Sequence, residues 1–92
     1  MTNEILNNLL YTVKNNEEII KQIIKKIKEN HINVVSATAY HIDLLYILLF
    51  IDNTSKPEIE KAINEIKTID ESIRTSLWFD EEAEWYTLKI IK

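Results

Sequence analysis

His41-Ile42-Asp43 sets an imidazole and a carboxylate two residues apart, which on a strand places both on one face. Such a pair could relay a proton or fill two positions around a metal ion. It has no third ligand in sequence, and His31, the only other histidine, keeps no fixed spacing to it. Ser36, Thr38, Ser72, Thr75 and Ser76 supply hydroxyls, but no base is tied to any of them, as a nucleophile requires. Glu58, Glu60, Glu65 and Glu71 read as solvated helix and turn positions. The sequence therefore predicts a protein that is not an enzyme and holds neither cofactor nor metal.

Two other groupings carry more information. Lys21, Lys25 and Lys28 follow i, i+4, i+7 spacing and share one helix face, which fits the wet side of an amphipathic helix. Leu77-Trp78-Phe79-Asp80-Glu81-Glu82-Ala83-Glu84-Trp85-Tyr86 gathers both tryptophans of the chain and four acids. If Phe79 and Tyr86 face a core, Trp78 and Trp85 face away from it beside an anionic loop. Exposed aromatic side chains rimmed by charge are the usual anchors of protein interfaces. Trp78 and Trp85, with Asp80, Glu81, Glu82 and Glu84 as the rim, are the expected partner-binding residues.

Composition narrows the classes further. There is no glycine in 92 residues, where average usage of ~7% would give about six. Phosphate-cradling loops, dinucleotide fingerprints and nucleophile elbows all need that residue. Zero cysteine removes disulfide scaffolds and cysteine-ligated zinc. The net charge is −4, with ten lysines to one arginine, so nucleic acid is a disfavoured partner. Met1-Thr2-Asn3-Glu4 carries an acid where a signal peptide needs positive charge, and the longest apolar run, Leu44 to Ile51, is too short to span a bilayer. A cytoplasmic setting with no membrane is expected. The A/T-rich codons behind abundant Ile, Asn and Lys fit a viral or plasmid-type regulator or inhibitor.

Periodicity places these groups on elements of a single small domain, residues 1–92. Leu6, Leu9, Leu10 and Val13, then Ile20, Ile23, Ile24 and Ile27, mark a helical N-terminus. Asn15 and Glu18 have capping-box spacing, which predicts a break near Asn15. Residues 33–52 read as two strands meeting at Ile42-Asp43, with Val34, Ser36, Thr38, Tyr40 and Ile42 on one face. A buried helix over 36–51 is the competing reading, and with a C-terminal hairpin it would make a mostly helical winged-helix protein. Pro57 suits the first turn of a helix carrying Ile59, Ala62, Ile63 and Ile66, which fades near Ile69-Asp70. The C-terminus alternates as a hairpin. Pairing Phe79 with Glu84 would set Leu77 opposite Tyr86, Ile73 opposite Ile90 and Trp78 opposite Trp85.

The predicted fold is α+β in two layers: an N-terminal helix, then β-β-α-β-β with a four-stranded antiparallel sheet and helices on one face. Leu44–Ile51 is apolar to both sides, and helices can cover it only once. Leu44, Tyr46, Leu48 and Phe50 are thus expected to form a homodimer interface. The function expected is a non-enzymatic protein-interaction module, a homodimer that engages a protein partner through its acidic, aromatic hairpin. Two alternatives stand beside it. One is a small-ligand-sensing or assembly module. The other is a winged-helix DNA-binding regulator, weakened because no lysine or arginine lies between Ser36 and Ile51.

Overall fold

The computed structural model describes residues 2–12 and 16–92. Its elements are α1 (Thr2–Thr12), α2 (Glu17–Glu29), β1 (Val34–Ile42), β2 (Leu44–Ile51), α3 (Lys56–Lys67), β3 (Arg74–Asp80) and β4 (Trp85–Ile91). The fold is α+β with one four-stranded antiparallel sheet, in the order β1-β2-β4-β3. Residues 36–51 are strand, and the winged-helix alternative falls with that. α1 and α2 are two helices, and the break expected near Asn15 falls at residues 13–15, outside the described residues. Asn15 and its capping box lie outside the described residues. Asn16 occupies the cap position of α2 and makes no side-chain capping bond.

The helices bury one stripe each. Ile20, Ile23, Ile24 and Ile27 of α2 and Ile59, Ala62, Ile63 and Ile66 of α3 join Leu6 and Leu9 of α1. They close over Leu45, Ile47, Leu49 and Ile51 of β2 and Leu88 and Ile90 of β4. Each such isoleucine or leucine contributes about 1.5–3 kcal/mol on burial, so this layer supplies most of the drive to fold. Ser55 caps α3, its Oγ accepting from the Glu58 N–H at 3.4 Å, and Pro57 sits in the first turn. Glu65 is not merely solvated. It accepts from Asn30 Nδ2 at 3.0 Å and lies 3.9 Å from Lys26 Nζ, tying α3 to α2.

Strand pairing explains the crossover. β2 and β3 are both antiparallel to β4, hence parallel to each other, and α3 connects them with β4 inserted between. β2, α3 and β3 thus form a split β-α-β unit, with β4 as the strand between its halves. Two details depart from the sequence-based expectation. β1 steps register between Val34 and Ser36, a bulge that sends Val34 to the helix side while Ser36, Thr38, Tyr40 and Ile42 stay on the other. The C-terminal hairpin pairs Asp80 with Trp85 and Phe79 with Tyr86, so Leu77 faces Leu88, Thr75 faces Ile90 and Trp78 faces Thr87. The loop lies one residue later than expected. That moves every partner by two and leaves each side chain on its expected face.

A chain without glycine must turn by other means. His31, Asp43, Asn53 and Glu84 all take left-handed φ values, 55°, 57°, 47° and 59°. Asn and Asp tolerate this region better than most residues. His31 ends α2 in a Schellman motif: the Ile32 N–H reaches the Ile27 carbonyl at 3.2 Å and its own N–H reaches Lys28 at 3.1 Å. The link from α3 to β3 is held by Asp70, whose Oδ1 accepts from the Ser72 N–H at 2.8 Å and the Ser72 hydroxyl at 2.7 Å. Those bonds, with Lys92 Nζ at 3.6 Å, hold the Asp70 carboxyl below its ordinary value of 3.8.

Two predictions follow from these turns. His31→Gly and Glu84→Gly should each raise the unfolding free energy in urea by about 0.5–1 kcal/mol, since left-handed geometry costs a Cβ-bearing residue ~1–2 and glycine returns ~0.5–1 through the unfolded chain. Asp70 has a depressed folded-state pKa, so its contribution is present above the unfolded value and is lost as pH falls through the folded one. Asp70→Asn should therefore reduce stability near neutrality and flatten the urea-midpoint profile below pH ~4.

Candidate interaction surface

The sheet face turned away from the helices is built from four rows of side chains. Tyr40, Tyr46, Ile91 and Arg74 form the first row, and Thr38, Leu48, Lys89 and Ser76 the second. Ser36, Phe50, Thr87 and Trp78 form the third, and Trp85 with Asp80 begins the fourth. Strand alternation makes this arrangement unavoidable: once Leu45, Ile47, Leu49 and Ile51 enter the core, Leu44, Tyr46, Leu48 and Phe50 must point outward. Among the described residues no helix covers them. Leu44 remains 45% exposed and Trp78 46%.

Aromatic contacts order this face. Tyr40 and Tyr46 stack across β1 and β2 with centroids 4.9 Å apart and an 11° interplanar angle. Phe50 and Trp85 meet at 5.5 Å and 48° across β2 and β4. Lys89 Nζ stands 5.8 Å from the Tyr46 ring centre, a cation over an aromatic face. Phe79 and Tyr86 pack edge to face at 5.1 Å on the helix side. Between the rings lies a concavity of about 350 Å³ lined by Tyr40, Leu48, Phe50, Trp78, Asp80, Thr87 and Lys89. Thr87, opposite both Phe50 and Trp78, is 3% exposed.

The hairpin loop closes one end of the face. Asp80 Oδ1 accepts from the Glu82 and Ala83 N–H groups at 3.0 and 3.1 Å, and its carbonyl accepts from Glu84 N–H at 2.8 Å. Glu81, Glu82 and Glu84 are exposed. The structure thus brings Trp78, Trp85 and Asp80 together with Leu44, Tyr46, Leu48 and Phe50 on one continuous surface, where the sequence suggested two. The tryptophans are not cross-strand partners. Trp78 stands beside Thr87 and Trp85 beside Asp80, and Trp85 packs on Phe50 instead. Tyr40, Arg74, Thr87 and Lys89 also belong to the surface and were not singled out. The β1–β2, β2–β4 and β3–β4 registers together place them there, and the second pairing joins residues some forty apart.

The remaining candidates disperse. His41 is exposed at the end of β1 and Asp43 is the turn residue, so strand alternation does not align them. Among the described residues no three His, Asp or Glu side chains are grouped to hold a metal ion, and no helix is long and apolar enough to cross a membrane. Lys21, Lys25 and Lys28 are exposed along α2, with Lys28 Nζ donating to Asn7 Oδ1 at 3.4 Å. No protein-family model matches the chain, no curated protein matches it, and no solved structure matches it.

Asp80 should matter as an acceptor before it matters as a charge. Asp80→Ala removes two hydrogen bonds from the turn and is expected to lower stability by about 1–2 kcal/mol, whereas Asp80→Asn keeps an oxygen in place and should lose less than half of that in urea unfolding.

Proposed function

We propose that this protein is a non-enzymatic protein-interaction module that assembles as a homodimer through its open sheet face, leaving the acidic hairpin loop at the rim for a macromolecular partner. The observation that carries the reading is the convergence of Leu44 and Trp78, exposed, with Tyr46, Leu48, Phe50 and Trp85, half-buried, on the sheet face opposite the helices. Four strands at ~4.8 Å spacing and seven residues at ~3.3 Å make a face of roughly 19 by 23 Å. Two such faces bury roughly 900 Å², just under the ~1,000 Å² that a specific interface usually clears. Aromatic side chains toward both ends of the face, with Leu48 and Phe50 between them, supply the anchors that area alone does not. The partner at the rim is a protein with a basic surface, complementary to Glu81, Glu82 and Glu84. The reading includes a cytoplasmic setting and a role as a regulator or inhibitor of the viral or plasmid-borne kind.

A second reading has one observation in its favour. The concavity of about 350 Å³ has apolar walls and a few convergent polar groups, Asp80, Thr87 and Lys89, as small-ligand sites do. A thermal shift of the purified chain with planar aromatic acids, lost in Trp78→Ala, would support it over the dimer.

Sedimentation equilibrium tests the dimer. The chain should be dimeric at ~100 μM, as apolar seams with aromatic anchors hold at such concentrations, and Leu48→Lys should leave a folded monomer. The double change Trp78→Ala with Trp85→Ala should weaken association by about thirtyfold or more, with the far-ultraviolet dichroism unchanged because neither ring lies in the helix-side core. A wild-type chain that is monomeric at ~100 μM would sink the proposal.

A further inference from the structure

The charges on the open face are not scattered. Asp80 and the loop glutamates Glu81, Glu82 and Glu84 lie at one end of the β3–β4 hairpin. At the other end of the same two strands stands Arg74. Lys92, one residue past β4, turns to the helix side and lies 3.6 Å from Asp70, while Lys89, in the middle of the open face, is aimed at Tyr46. Arg74 is the chain's sole arginine, is exposed, and forms no ion pair among the described residues. A guanidinium is the cation best suited to an interface carboxylate.

Two sheets packed face to face keep their strands within ~30° of alignment, so a twofold axis in the seam has two choices. An axis along the strands lays β3 over the partner's β1 and brings both acidic loops to the same end of the dimer. An axis across the strands lays β3 antiparallel over the partner's β3. The loops then sit at opposite ends, and Arg74 of each copy meets Asp80 of the other. One Asp80 oxygen is engaged by the turn, and the other remains to accept from Arg74. The first arrangement concentrates like charge. The second neutralises it at both ends, and the two Lys89 side chains it brings near the axis each lie over a Tyr46 ring.

We infer that the occupant of the open face is a second copy of this chain related by a twofold axis across the strands, with Arg74 and Asp80 pairing at both ends of the seam. This rests on the open face being a homodimer seam, and it adds the axis and the residues that select it. The apolar rows agree with it: the Tyr40–Tyr46 stack at one end of each sheet lies over the Phe50–Trp85 end of the other, so aromatic surface meets aromatic surface.

Charge exchange between full-length chains reads the axis directly by sedimentation equilibrium. In ~50 mM salt, Arg74→Glu should raise the dimer dissociation constant about tenfold, and so should Asp80→Lys. An equimolar mixture of the two should recover to within about threefold of wild type, because each end of the mixed dimer is again complementary. Asp80→Lys also disturbs its turn, so its fold is checked by circular dichroism, and unmodified protein supplies an independent reading. Raising salt from ~50 to ~500 mM should weaken the wild-type dimer several-fold, because the end pairs are attractive and exposed. A dimer indifferent to Arg74→Glu and tightened by salt would overturn the axis while leaving the seam. A chain monomeric at ~100 μM would overturn the seam itself.

Discussion

β2 is apolar on both faces, and a two-layer fold has helices for only one. Everything distinctive about the molecule depends on that constraint. Leu45, Ile47, Leu49 and Ile51 anchor α1, α2 and α3 to the sheet, and strand alternation then turns Leu44, Tyr46, Leu48 and Phe50 outward. Replacing those four by polar residues would have given an ordinary solvated sheet face. The neighbouring strands extend the apolar character instead, with Tyr40 on β1, Ile91 on β4 and Trp78 on β3. Such a surface is costly in water unless something covers it.

The absence of glycine shapes the molecule in a different way. Turn closure is delegated to side chains: Asp80 and Asp70 fold back onto backbone N–H groups, and Thr54 Oγ1 accepts from the Asn33 N–H at 3.2 Å while donating to the Asp52 carbonyl at 2.9 Å. Each of these turns is therefore a polar structure with a defined geometry and little freedom. Rigid turns keep the hairpin loop in a fixed relation to Trp78 and Trp85.

The elements and their faces were legible in the residues because they depend on local period alone. Ile20, Ile23, Ile24 and Ile27 announce a helix, and alternation from Thr75 to Ile90 announces a hairpin. Ser55 and Pro57 mark the start of α3 to within a residue. The registers were less accessible. The C-terminal loop slips by one residue because Asp80 can close the turn by accepting from Glu82 and Ala83, a preference of one side chain that alternation does not encode. The bulge near Val34 is likewise invisible to a period-two pattern. The merging of two expected surfaces into one follows from β2 pairing with β4, and long-range pairing leaves no local trace in a sequence.

The position of β4 bears on how the chain comes into being. It follows β1, β2 and β3 in synthesis, yet it lies between β2 and β3 in the sheet. Until it emerges, β2 has a bare inner edge as well as a bare face, and β3 has no neighbour at all. The nascent polypeptide therefore passes through an interval in which its most apolar strand is open along one edge and one face, a template for any stray extended segment. Closure of the sheet is the arrival of a keystone, and the speed of that last insertion sets how long the half-built molecule is at risk.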